Sequence, residues 1–143
     1  MTSSELENLV RIGKLKHERT SASELGGLLM SARERLADAD NTTLAFASRF
    51  DLAYNASHAL ALYALRPAGY RCDARYLAFQ TLPHTLDMPV EVWRVLAKAH
   101  ERRNLAEYEG HMENDERLLA DVVAAAHRAL AAIEALPDSR SAD

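Results

Sequence analysis

Between Ala99 and His111 the chain carries His100, Arg102, Arg103, Asn104, Glu107, Tyr108 and His111 within little more than three helical turns. On a helix, Trp93, Ala97, His100, Asn104 and Tyr108 fall along one face, with Arg103 and Glu107 just beside it. A guanidinium there offers fixed charge and paired donors to a phosphate, and the neighbouring imidazole, amide and phenol can hold or move a proton. The same residues also suit a solvated helix end with snorkelling arginines. His100, Glu107 and His111 are spaced to approach a common point. Without a second ligating helix that spacing does not specify a metal site, so neither a metal nor another cofactor is expected.

A second constellation precedes it. Asp51, Asn55 and His58 recur at three- and four-residue spacing, on one face of a segment that is otherwise apolar nearly all round. Polar groups on a buried helix must find partners or line a cleft or interface. They therefore read either as a satisfied structural network or as the wall of a site. Asp51 and His58 join His111 and Arg102 as candidate substrate-binding residues, opposite a catalytic group of Arg103, Asn104, Tyr108 and His100. His17, His84 and His127 are isolated in the sequence and read as surface or packing residues. No Gly-rich phosphate loop and no serine nucleophile elbow occurs.

Helical periodicity must position these groups, because no stretch shows sustained alternation of period two. A first helix is expected from Ser4 to about His17, with Leu6, Leu9, Val10 and Gly13 on one side. Ser21 and Glu24 form the pattern of a capping box, opening a second helix to about Asp38. Gly26 and Gly27 inside it point to close approach of a neighbouring backbone or to a break. Asn41 or Thr42 caps a long third helix ending near Leu65, before Pro67 and Gly69. A short fourth helix spans about Asp73 to Thr81 and stops before Pro83. Pro89 opens a fifth, reaching Tyr108 or Gly110. Asn114 caps a sixth, running to Leu136, whose buried stripe is Leu119, Val122, Val123, Ala126, Leu130 and Ile133. The short connections predict an all-α, antiparallel up-and-down bundle of four to six helices. It occupies residues 1–137 as a single domain, with residues 138–143 as a disordered tail.

Composition agrees. The chain has 143 residues, enough for one core and too few for two. Its apolar residues are mostly alanine and leucine, which favour helix over strand. Its single cysteine, Cys72, forms no internal disulfide and suits a reducing, cytoplasmic compartment as a plain structural thiol. The first five residues lack the basic start and apolar run of a secretory signal, and the longest apolar run, Ala59 to Leu65, is too short to span a bilayer. No membrane association is expected. The net charge of -4 gives no general attraction to nucleic acid. Between Arg66 and Arg103, however, seven basic residues face four acidic ones, so the middle of the chain is locally basic and suits a polyanion.

The run Arg103-Asn104-Leu105-Ala106-Glu107-Tyr108 resembles the signature of HEPN domains. In that signature an arginine, usually followed by a polar residue, precedes a histidine with four to six residues between them. Upstream, the stretch from Arg49 through Tyr54 and His58 to Leu60 is similar to the long helix of that family. The order of helices agrees too, and the likeness covers roughly Ala32 to Leu136. The resemblance implies a helical bundle that pairs as a two-fold homodimer, with arginines and histidines of both subunits meeting in a cleft. It implies RNA or nucleotide binding, and in many members metal-independent endoribonuclease activity. There the arginine stabilises phosphate charge and the histidine assists the 2′-hydroxyl or the leaving group. Several members are toxins partnered by a nucleotidyltransferase-type antitoxin; others are non-catalytic binders of nucleotides or proteins. Arg103 takes the arginine position and Asn104 the polar one. Tyr108, Glu109 and Gly110 stand where the histidine belongs, and His111 comes one residue late. Either Tyr108 substitutes, or His100 or His111 fills the space, or the chain is an inactive interaction module. Tyrosine, with its ordinary pKa of about 10, is a poor base at neutral pH.

Overall fold

The computed structural model describes residues 4–137. The tail expected over residues 138–143 lies outside them. The described residues form seven helical segments and one minimal sheet: α1 (Ser4–Arg11), β1 (Lys16–His17), α2 (Ala22–Ala39), α3 (Phe46–Leu65), β2 (Tyr70–Arg71), α4 (Arg75–Gln80), α5 (Leu82–Thr85), α6 (Val90–Glu109) and α7 (Glu116–Glu134). The four long helices α2, α3, α6 and α7 make the bundle, so the all-α expectation holds. No described helix is long and apolar enough to cross a membrane.

The central element is α3. It packs most heavily on α2 and α7, while α6 lies against α7 and α4. Phe50, Tyr54, Leu60 and Leu65 are fully buried along it, and Ala53, Ala56 and Ala61 let neighbouring helices approach closely. The predicted stripe of α7 faces this core. Leu119, Val122, Ala126 and Ile133 are buried and Val123 and Leu130 partly so. At about 0.8 kcal/mol per buried methylene, these aliphatic side chains supply the main driving force for the fold.

Several boundaries differ from the sequence expectation. The first helix ends at Arg11 rather than His17, because Gly13 turns left-handed (φ 79°). Its amide bonds Val10 (3.0 Å) and that of Lys14 bonds Leu9 (2.8 Å), which closes off the last helical carbonyls. The freed segment then pairs antiparallel with Tyr70–Arg71, a bridge too short to leave an alternating pattern in the sequence. The third helix starts at Phe46, not near Asn41. The Asn41 side chain instead accepts from the Thr43 amide (3.0 Å) and hydroxyl (2.7 Å), an Asx turn that holds the chain out of the helix. Asp115, one residue after Asn114, caps α7 through the Leu118 amide (2.9 Å). Pro83 sits in the first turn of the short α5, where a proline lacks nothing it needs.

The start of α2 is half a capping box. Ser21 Oγ accepts the Glu24 amide at 3.0 Å, as its type predicts. The Glu24 carboxylate does not return to the cap. It accepts instead from Thr20 (2.6 Å) and from the buried Arg66 (3.0 Å). Gly26 and Gly27 neither break α2 nor meet a neighbouring backbone. A Cβ at either would find no atom within 4 Å.

Candidate functional site

His100 leaves α6 toward the fully buried Tyr54 of α3. Its Nδ1 lies 2.8 Å from the Tyr54 hydroxyl, and its Nε2 lies 3.1 Å from the Asn104 amide nitrogen, one turn on. Both ring nitrogens are thus engaged, which fixes the ring plane. With Asn104 donating to Nε2, the proton of the neutral ring sits on Nδ1 and points at Tyr54 oxygen; a turned amide reverses both bonds. Tyr76 of α4 closes the other side, its ring edge-on to His100 at 5.7 Å.

Two guanidiniums flank the same tyrosine. Arg103 stands 5.1 Å and Arg75 5.5 Å from the Tyr54 ring centroid. Arg103 donates to Asp51 (3.3 Å) and pairs with Glu107 one turn along α6 (3.3 Å). Arg75, from the start of α4, donates to the Asn55 side-chain oxygen at 2.7 Å, and Asn55 donates on to the Asp51 carbonyl at 2.8 Å. Among the described residues no carboxylate pairs with Arg75.

This setting tunes the histidines. Burial, then the positive charges of Arg75 and Arg103, lower the pKa of His100. Burial first, then Arg75 and His100, lower that of His58 to about 4. Both rings are neutral at neutral pH, and a neutral imidazole beside fixed positive charge is a proton acceptor whose product cation is disfavoured until an anion arrives. Burial raises the pKa of Tyr54, so it stays a phenol and serves as a hydrogen-bond partner.

Two shallow grooves open on either side. One, of about 320 Å³, is lined by Asp51 and Arg103 together with Glu107, His111 and Met112. The other, of about 350 Å³, lies between α2 and α3, with Asn55, His58 and Arg75 along its wall.

The structure therefore brings His100, Arg103, Asn104 and Asp51 together, as their spacing suggests. His58 lines the other groove with Arg75, ring edge to Phe79 at 6.1 Å, and His111 lines the first beside Arg103. Arg102 is on another side of α6, 3.7 Å from Asp115. Tyr108 is 96% exposed and joins none of these bonds; of the two imidazoles near Arg103, His100 is the one bonded to Tyr54 and Asn104, while His111 lines the groove with Arg103. Tyr54, Arg75 and Tyr76 were not among the expected site residues. Tyr54 carried one usable signal, a polar tip on a helix face that is otherwise buried; Arg75 carried none, because its partners lie on another helix.

The site is thus a polar face on an all-α bundle, built from three helices around one buried tyrosine. Comparison of the chain with protein-family models, curated proteins and solved structures gives no match.

Proposed function

We propose that this face binds the phosphodiester backbone of RNA, and that the chain is a HEPN-like, metal-independent endoribonuclease acting as a two-fold dimer. The observation that carries the reading is a neutral imidazole, held at both nitrogens in the free chain and bonded to Tyr54, whose ring is flanked by two guanidiniums, Arg103 lining one open groove and Arg75 the other. In such a site the exposed Asn104 amide turns aside from Nε2 of His100, which takes the proton of a ribose 2′-hydroxyl, and the oxygen attacks the adjacent phosphorus. The 5′ oxygen leaves with a proton from solvent, giving a 2′,3′-cyclic phosphate and a 5′-hydroxyl. Arg103 and Arg75 stabilise the charge that builds on the phosphoryl oxygens. Supporting the dimer, Tyr108 is exposed one turn beyond Asn104 on α6, and Leu105 is exposed on the neighbouring side with Arg102, an apolar surface for a second copy to cover.

One observation favours a second reading, a non-catalytic dimer that recruits a protein. Asp51 and Glu107 both pair with Arg103, so its charge is already compensated in the free chain. Cleavage of a mixed RNA panel in EDTA by wild type and Arg103→Ala separates the two. The first reading expects cleavage that disappears in a variant with unchanged circular dichroism, because Arg103 pairs are partly exposed and contribute little to folding. No cleavage by a dimeric wild type supports the second.

A further inference from the structure

Beyond Arg75 the groove between α2 and α3 has features that neither the bundle nor His100 requires. Gly27 is an exposed part of its lining in the second turn of α2, where glycine weakens a helix, yet a Cβ there would meet no atom within 4 Å. No packing demand accounts for the missing side chain. What the glycine does is leave the groove open above the apolar atoms of Leu28, Ala59 and Leu62. The rim is polar, with Ser31 and Arg35 from α2 and Asn55 and His58 from α3. At one end stands Arg75, a cation with no carboxylate partner among the described residues. Glu24, the carboxylate of the lining, is already held by Arg66 and Thr20.

Apolar atoms, a polar rim and, at one end, a guanidinium that donates to Asn55 but faces no carboxylate among the described residues match a ligand that is apolar at one end and anionic at the other. We propose that this groove is a nucleotide subsite adjoining His100. Its base lies over Gly27 between Leu28 and Ala59, and its phosphate is held by Arg75 and Asn55. The substrate is then a single strand, because a base inside a duplex cannot enter a groove of this kind. This deepens the RNA reading and rests on it for the identity of the ligand, but it concerns binding and not cleavage.

The test uses a fluorescent oligodeoxynucleotide of about six residues, which lacks the 2′-hydroxyl and so binds without being cut. Gly27→Leu puts the side chain of a good helix former into the groove, and Gly26→Leu is its control outside the groove. Both variants should melt about 3 °C higher than wild type, because each removes a helical glycine. Only Gly27→Leu should weaken oligonucleotide binding, by about tenfold, because its side chain takes the place of the base. Arg75→Gln should weaken it too and reduce its salt dependence. Equal binding by wild type and Gly27→Leu, or no binding by wild type, overturns the subsite. Cleavage reports separately. A wild type that binds with this Gly27 dependence but never cuts RNA would overturn the His100 chemistry and leave the subsite standing.

Discussion

Arg66 offers the sharpest test of how this fold is held. It caps the end of α3, is only 4% exposed, and reaches across to the segment between β1 and α2. Its guanidinium donates to the carbonyls of Arg19 (2.8 Å), Tyr70 (3.0 Å) and Glu18 (3.3 Å), and to the Glu24 carboxylate (3.0 Å). Arg66→Met keeps the apolar stem and removes every donor. Breaking a buried ion pair from one side costs about 3–5 kcal/mol. Glu24 is 40% and Glu18 43% exposed, so their charges regain water in the variant, which brings the expected loss down to about 3 kcal/mol. For a domain of this size, with an unfolding entropy near 0.3 kcal/mol/K, that is a fall of about 10 °C in Tm. Thermal melting by circular dichroism reads it directly. A variant melting within about 2 °C of wild type would refute the clasp and assign this cohesion to the apolar core alone.

Two further outcomes follow from the histidines. His58 titrates near 4 in the folded chain against an ordinary 6.5, so between these values the unfolded chain binds the extra proton. Stability from this source is full above pH 6.5 and is lost as pH falls toward 4, by up to about 3 kcal/mol, and chemical denaturation of wild type against His58→Leu from pH 7 to pH 4 measures it. Parallel curves for the two proteins would contradict the assignment. His100, also depressed, must be neutral to accept a proton, so RNA cleavage should rise with pH through a midpoint below 6.5 and be level at neutrality. A midpoint above 7 would point to another base.

How far the sequence could be read depended on the range of the forces involved. The long helices α2, α3, α6 and α7 follow from apolar periodicity and from local stops such as Gly110, which takes the left-handed conformation at the end of α6 (φ 82°). His100, Asn104 and Arg103 share one helix, so their meeting is local geometry and was legible. The contacts of Arg75, Tyr54 and Arg66 were not. Each acts across helices, and 42 residues separate Arg66 from Glu24; nothing in spacing announces such a contact. The two glycines of α2 misled in an instructive way. A helical glycine argues for close packing only when something packs there, and here the space beside both is open.

The most direct measurement of the central claim compares wild type with His100→Ala on one RNA and on its 2′-deoxy counterpart, both in EDTA. The account predicts that wild type cuts the RNA to products bearing a 2′,3′-cyclic phosphate and leaves the DNA intact, while a folded His100→Ala cuts neither. Undiminished RNA cleavage by His100→Ala, or cleavage of the DNA by wild type, would contradict it.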